Sequence, residues 1–424
     1  MEKINLYESF AGIGSQYLAL KRLSKKNKNF DVNVVGICEW DIYALYSYIN
    51  IHFPEIEINE KTKNYESLKK FIYNNDFSSD SKSVAKKEHL LKDEKNLKVI
   101  SKIKNFSEKV KLNPNIEKLS GKDLIDLKVN FLTYSFPCQD LSNAGKRKGF
   151  ERGSNTRSSL LWEIERIIEE IFKINKNKLP KYLLLENVAS LLNKKNKSLF
   201  LEWIDFLSNK GYKTFYDKLN AKDFSIPQNR IRTFAFSILN YEGEYKEKES
   251  LDEIIKDFNS KNKIKNKIKP MEKFLKIDYK NDNYSLEARD SSPNHTKSRE
   301  RMWNESEIKL LEYDENDIPI PNEKQIFSGT LTTKQDRWHN GGMIQLPKSF
   351  RKKYYDKSKN PLKEYRYRFL TPTESLLLMG FKENEIENVI KSINNELKRR
   401  HVIHQAGNTI VVDILEKIFE IFIL

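Results

Sequence analysis

Cysteine is almost missing from this chain: Cys38 and Cys138 are the only two in 424 residues. Two thiols cannot staple so long a polypeptide, so a disulfide framework is excluded and a reducing compartment is expected. Long apolar runs are missing too. None reaches the ~20 residues that cross a bilayer, and the opening MEKINLYESF reads as a strand, without the basic flank and apolar core of a secretory signal. The expectation is a cytoplasmic protein with no membrane association. Acidic residues are in deficit, 60 Asp and Glu against 76 Lys and Arg, which leaves a formal charge of +16. Such an excess suits a polyanionic partner, most simply nucleic acid, although an AT-rich genome would supply much of the same Lys, Asn and Ile. The hydrophobic content of 38% over this length supports a catalytic domain and a second one.

The most informative stretch is Phe131 to Ser142, FLTYSFPCQDLS. FLTYSF is β-branched and aromatic enough for a buried strand, and Pro137 ends the ladder because it has no N–H to donate. Cys138 therefore falls at the carboxyl end of a strand, where open α/β sheets bind ligands. A core cysteine would lie inside the strand, whereas this one precedes a polar loop running through Lys146, Arg147 and Lys148 to Gly149.

Upstream, Ile4 to Phe10 is a short apolar strand followed by AGIGS and a helical pattern with Tyr17, Leu18, Leu20 and Leu23. Strand, glycine turn and helix make the first unit of a nucleotide-type fold. A dinucleotide fingerprint needs a third glycine where this chain has Tyr17, so Gly12 and Gly14 suit a ligand without a large anionic group. The second strand, Val32 to Cys38, ends in Glu39 and Trp40. An acidic side chain there can take both ribose hydroxyls, and Trp40 can lie on an adenine face. An adenosine ligand without phosphates means S-adenosylmethionine. From Glu55 to about Pro114 the chain is rich in Lys, Asn and Ser and reads as an insertion that carries no chemistry.

Beyond the Cys138 loop, Leu160 to Phe172 is a helix with Leu160, Leu161, Ile164, Ile167, Ile168 and Ile171 on one face. KYLLLENV is a buried strand ending in Glu186, a carboxylate placed to converge with Cys138 on one cleft. In FSIPQNRIRTFAFSIL, Gln228, Arg230 and Arg232 alternate, so period two puts them on one face. Two arginines there need anionic partners, either within the fold or at a catalytic carboxylate.

FAGIG (10–14), Glu39–Trp40, FPCQDLS (136–142), ENV (186–188), QNRIR (228–232), RFLTPTESLLLMGF (368–381) and AGNTIVVDIL (406–415) stand in an order and spacing that resembles the DNA cytosine-5 methyltransferases of bacterial restriction-modification systems. The similarity covers roughly residues 1–240 and 366–424. It implies an α/β fold, a Rossmann-like S-adenosylmethionine-dependent methyltransferase sheet with a second, smaller target-recognition domain. The expected boundaries are 1–240, completed by 404–424 and carrying the insertion 55–114, and 241–403. The implied cofactor contacts are Phe10, Gly12, Ile13, Gly14, Glu39, Trp40, Asn115, Pro137, Leu160 and Asn408. Asn115 stands where the family has an acidic residue facing the adenine amino group; its amide oxygen can accept that bond, and Asp123 is a nearby alternative. Cys138, Glu186, Arg230 and Arg232 are the implied catalytic residues, with no metal. Gln139, Ser142, Lys146, Arg147, Lys148 and Arg152 are the implied DNA contacts of a loop closing over a flipped base. In the second domain SGTLTTKQDRWHNGGMI suits base reading from a loop, with Lys334, Gln335 and Arg337 as readers, and the stretch from Arg351 to Arg368 is the other basic-aromatic segment. The implied partner is double-stranded DNA, joined by a cognate restriction endonuclease if the protein serves a restriction-modification system rather than being a solitary relative, and the protein is expected to be a monomer.

Overall fold

A computed structural model describes residues 2–58, 65–137, 160–305, 309–323, 326–335, 340–356 and 362–424. The chain divides into two units, the first comprising Met1–Leu219, Ile231–Lys265 and Ile414–Leu424, the second Asn220–Arg230 and Asn266–Asp413. No helix among the described residues is long and apolar enough to cross a membrane.

The first unit is built on a seven-stranded sheet of β1 (Glu2–Ser9), β2 (Phe30–Cys38), β3 (Lys111–Leu112), β4 (Phe131–Tyr134), β5 (Tyr182–Val188), β6 (Tyr212–Asn220) and β7 (Ile231–Leu239), in the order β3-β2-β1-β4-β5-β7-β6. β1 pairs in parallel with β2 and β4, β4 in parallel with β5, and β5 antiparallel with β7. All of FLTY in β4 is buried, as a central strand covered on both faces requires. The chain leaves β1 toward β2 on one side and returns to β4 on the other. Such a reversal opens a crevice at the strands' carboxyl ends, where β1, β2, β4 and β5 deliver Ser9, Cys38, Tyr134 and Val188.

Helices follow wherever apolar residues recur at helical spacing. They are α1 (Ser15–Lys26), α2 (Ile42–His52), α3 (Tyr65–Asn74), α4 (Lys87–Lys92), α5 (Glu94–Ser107), α6 (Gly121–Asp126), α7 (Leu161–Asn175) and α8 (Lys194–Ser208). α7 buries Leu161, Ile164, Ile167, Ile168 and Ile171 in one core cluster with Leu132, Tyr134, Leu185 and Trp203. Each such side chain contributes about 1.5–3 kcal/mol when fully removed from water. The C-terminal segment joins the same unit: Phe419 lies edge-on to Phe131 at 5.4 Å and Glu416 pairs with Arg22 at 2.8 Å. Residues 55–114, polar by composition, still fold. α5 buries Val99, Ile100, Ile103 and Phe106, and Phe106 meets Phe53 and Tyr48 at the end of α2.

The second unit has a four-stranded sheet of β8 (Lys309–Tyr313), β9 (Pro319–Pro321), β10 (Met343–Gln345) and β11 (Tyr367–Phe369), in the order β11-β10-β8-β9. Just past it, the RFLTPTE stretch explains itself. Arg368 and Glu374, both 0% exposed, form a two-pronged ion pair with both N–H···O distances at 2.7 Å. Glu374 also accepts N–H bonds from Thr371 and Lys276, and Arg368 donates to Tyr279 and to the Phe369 carbonyl. Thr371 and Glu374 close a capping box on the helix Pro372–Leu377.

The unit boundary falls at 266 rather than at the expected 241. The helix Leu251–Lys261 buries Leu251, Ile254 and Ile255 in the first unit, a short apolar stripe that the surrounding lysines mask in the sequence.

Candidate active site

The turn after β1 leaves the ordinary backbone regions three times in five residues, with φ of 59° at Phe10, 55° at Gly12 and 77° at Gly14. The two glycines are needed for different reasons. A Cβ on Gly14 would lie 2.4 Å from His52 Nε2 and 2.5 Å from the Tyr48 ring, so Gly14 is demanded by packing. A Cβ on Gly12 would meet nothing within 4 Å. Gly12 therefore faces open space, the condition for a ligand to approach the backbone. Ile13 is buried, and its carbonyl is hydrogen-bonded to His52 Nε2 at 3.0 Å.

Glu39 crosses to this turn from the end of β2. Its Oε2 accepts the Gly12 N–H at 2.9 Å, while Oε1 accepts the N–H groups of Trp40 and Asp41, both at 2.8 Å. A carboxylate offers about four acceptor positions, so one remains, on Oε2. That suits one ribose hydroxyl rather than the two expected. Burial, with the neighbouring Asp41 charge, pushes the Glu39 carboxyl up to about 7 against the pull of the three donors. Cys38 is a buried core residue whose thiol is pushed up by burial and by Glu39, so it stays protonated and inert.

Glu8 escapes a reading of the sequence. It is fully buried at the end of β1, accepting the Tyr17 N–H at 3.1 Å and the Tyr48 hydroxyl at 2.6 Å, and burial raises its carboxyl to about 7. Its only signal is an acid inside the apolar run INLYESF. Because the folded carboxyl titrates above the ordinary 4.5, the folded state binds the extra proton between pH 4.5 and 7. Stability from this group is complete below 4.5 and lost as pH rises through 7. Glu8→Gln is therefore expected to remove on the order of 3 kcal/mol of pH-dependent destabilisation between pH 5 and pH 8. Urea titrations of both proteins at the two pH values measure it; equal losses in the two would show that Glu8 titrates normally.

At the adenine end of the expected site, Asn115 spends its amide oxygen on the Glu117 N–H at 3.0 Å, capping its own turn. Its Nδ2 donates to Asp76 at 3.3 Å, and Lys118 holds the same carboxylate at 2.6 Å. The amide oxygen thus accepts one backbone N–H and keeps a second lone pair. Asp123 is occupied, in a capping box with Ser120. The insertion instead reaches the second strand's end: Ser78 donates to the Trp40 carbonyl at 2.8 Å, and Ser81 Oγ donates to Asp41.

Glu186 and the last described residues before Cys138 stand on adjacent strands. Tyr134 pairs with Leu185, which places Glu186 beside the Ser135–Pro137 segment. Asn187, not singled out from the sequence although it lies in ENV, donates through Nδ2 to the Phe136 carbonyl at 3.0 Å and so tethers the chain two residues before Cys138. Gln16 reaches Ser135 Oγ from α1 at 3.5 Å. Glu186 is 8% exposed and lies 3.5 Å from Arg232 Nε. Cys138, Gln139, Ser142, Lys146, Arg147, Lys148 and Arg152 lie outside the described residues, as does Arg337. Leu160 caps the amino end of α7, half-buried.

Two expected site residues have structural work. Arg230 belongs to the second unit, where its guanidinium donates to the carbonyls of Leu331, Gly407 and Thr409 at 2.8–2.9 Å. Gln228 is bound in the same unit, donating to the Leu378 carbonyl and accepting the Leu331 N–H. Period two fails here because β7 begins only at Ile231, and Arg232 pairs with Glu186. Gln335 is 1% exposed and accepts the Gly341 N–H at 2.9 Å, closing its own loop rather than facing base edges. Lys334 is exposed, and Asn408 ends the helix Arg399–Asn408 in the second unit. Among the described residues, no cluster of His, Cys, Asp or Glu is placed to hold a metal ion.

A sheet that reverses at β1, a glycine turn open to a ligand and an acidic residue at the end of β2 define a Rossmann-like methyltransferase. Solved structures share that fold. One is the *S. pombe* Dnmt2 methyltransferase, with a TM-score of 0.59 and 18% identity over 98% of this chain and 97% of that one. Another is the *Entamoeba histolytica* methyltransferase EhMeth, with a TM-score of 0.55 and 17% identity over 99% and 98%. The model of the C-5 cytosine-specific DNA methylases matches residues 83–423, and the chain belongs to that family, the DNA cytosine-5-methyltransferases. It is 31% identical to the type II methyltransferase M2.ScrFI of *Lactococcus lactis* subsp. *cremoris* over 98% of both chains. It is 39% identical to the orphan methyltransferase M.SssI of *Spiroplasma monobiae* over 56% of this chain, a match that spans 60% of that protein.

Proposed function

We propose that the protein methylates carbon 5 of a flipped-out cytosine in a specific duplex DNA sequence, through a transient covalent bond to Cys138. The observation that carries this reading is the convergence on neighbouring strand ends of the Asn187-tethered segment leading into Cys138 and the buried Glu186–Arg232 pair. S-adenosylmethionine supplies the electrophilic methyl group when bound. The open space over Gly12, the remaining acceptor on Glu39 and the neighbouring Trp40 fit its adenosine part and would hold it.

Cytosine carbon 5 is a poor nucleophile. Addition of the Cys138 thiolate to carbon 6 places electron density on carbon 5, which can then take a methyl group. Glu186 would donate to ring nitrogen 3, relieving the negative charge this addition creates, while Arg232 holds Glu186 in place. Loss of the carbon-5 proton and elimination of the thiolate restore the ring. The base must leave the helix at a cost of roughly a few kcal/mol, and the cationic loop Lys146, Arg147, Lys148 and Arg152 suits the phosphates around it. A cognate restriction endonuclease is the partner that the type II relative suggests.

Mass spectrometry of nucleosides from cells expressing the protein tests the substrate. The expected result is new 5-methylcytosine in DNA and none in tRNA. New 5-methylcytosine in tRNA alone would assign an RNA substrate instead.

A further inference from the structure

We propose that the basic pocket on the helix Lys348–Tyr354, in the second unit, is a phosphate-anchoring subsite for the backbone of duplex DNA. The proposal rests on the DNA substrate argued above but concerns a different part of the molecule.

The pocket has a volume of about 520 Å³ and is lined by Lys348, Arg351, Lys352, Tyr355 and Glu364. Three of these five residues are cations. The helix itself is held rigidly. Phe350 is buried against Tyr279, at 4.9 Å between ring centres, and packs with Tyr354 and Tyr365. Asp317 caps the first two amides, accepting from Lys348 at 2.6 Å and Ser349 at 2.8 Å.

On this fixed helix the three cations are spaced at i, i+3 and i+4, so they share one face. Like charges at that spacing destabilise a helix by a few tenths of a kcal/mol per pair, although Arg351 and Lys352 lie in the last turn, where the dipole favours cations. Asp317, at the amino end, offsets part of that charge at Lys348. Lys348 Nζ donates to the Glu315 carbonyl at 3.2 Å, and Lys352 makes no ion pair among the described residues. Arg351 Nε is buried with no hydrogen-bond partner among the described residues. Glu364 is itself engaged by Arg366 at 2.6 Å, with His295 at 3.9 Å, so it does not neutralise the pocket. A fixed cluster of cations around a guanidinium N–H with no partner among the described residues is complete once an anion enters. A phosphodiester supplies oxygens for Arg351 and charge for both lysines.

The experiment measures duplex affinity of the full-length protein by fluorescence anisotropy at several KCl concentrations. Arg351→Gln/Lys352→Gln is expected to flatten the slope of log affinity against log salt by about 1.8, or about 0.9 per lost phosphate contact. Affinity should fall roughly tenfold or more at low salt for target and random duplexes alike. Lys352→Gln alone, at an exposed position, should flatten the slope by about 0.9 and guards against misfolding of the double variant. S-adenosylhomocysteine affinity, measured by calorimetry, should not change in either. Unchanged slopes in both variants would overturn the proposal. So would unchanged duplex binding combined with lost binding of inorganic phosphate or of structured RNA, either of which would give the pocket another occupant. Absence of duplex binding by the unmodified protein at any salt would instead overturn the DNA reading itself.

Discussion

Glu186→Gln is expected to lower kcat for methyl transfer by about 10²–10⁴, with S-adenosylhomocysteine affinity unchanged. Glutamine keeps the shape of Glu186 and can still hydrogen-bond a cytosine, but it has no proton to deliver to ring nitrogen 3. The buried carboxyl lies 3.5 Å from Arg232 Nε, and Arg232 also donates to the Ile231 carbonyl, so the arginine stays in place when the charge is removed. Loss of chemistry is thereby separated from collapse of the pocket. Single-turnover transfer of labelled methyl groups to a duplex measures the effect. A rate within threefold of the unmodified enzyme would reduce Glu186 to the ion-pair partner of Arg232.

A change of comparable size is expected in stability at the other unit. Glu374→Ala should cost about 3–5 kcal/mol, because it leaves the guanidinium of Arg368 buried without its counter-charge. The native pair tolerates burial because nearly all of its donors and acceptors are used. Four N–H bonds reach the Glu374 carboxylate, from Arg368 twice, Thr371 and Lys276, and two further Arg368 N–H groups meet Tyr279 and Phe369. Replacing both partners by apolar residues of similar volume should restore much of the loss. Urea unfolding followed by circular dichroism checks both statements. A loss below about 1 kcal/mol in Glu374→Ala would mean that water reaches Arg368 once the carboxylate is gone.

What could be read from the sequence was whatever local chain chemistry dictates. The strand running into Pro137, the glycine turn after β1, the amphipathic face of α7 and the acid closing β2 all follow from residue type and spacing. What escaped depends on partners distant in sequence. Glu8 looks like any strand-end acid until Tyr48, 40 residues on, is seen to cap it. Nothing in NIEKL announces that the Asn115 oxygen closes a turn on Glu117. The role of Arg230 turned on where β7 starts, and its three carbonyl partners lie between 101 and 179 residues away. The polar insertion hid Asp76, Ser78 and Ser81, whose contacts reach Asn115, Trp40 and Asp41.

The central claim is that one thiol, Cys138, makes a covalent bond to the target base. Duplex DNA carrying 5-fluorocytosine at the methylated position, incubated with the protein and S-adenosylmethionine, tests it most directly, because fluorine at carbon 5 cannot leave as a proton does. The account predicts an adduct that survives denaturation, maps by peptide mass spectrometry to Cys138, and is absent in Cys138→Ser although that variant still binds the duplex. An adduct that persists in Cys138→Ser, or that maps to Cys38, would contradict it.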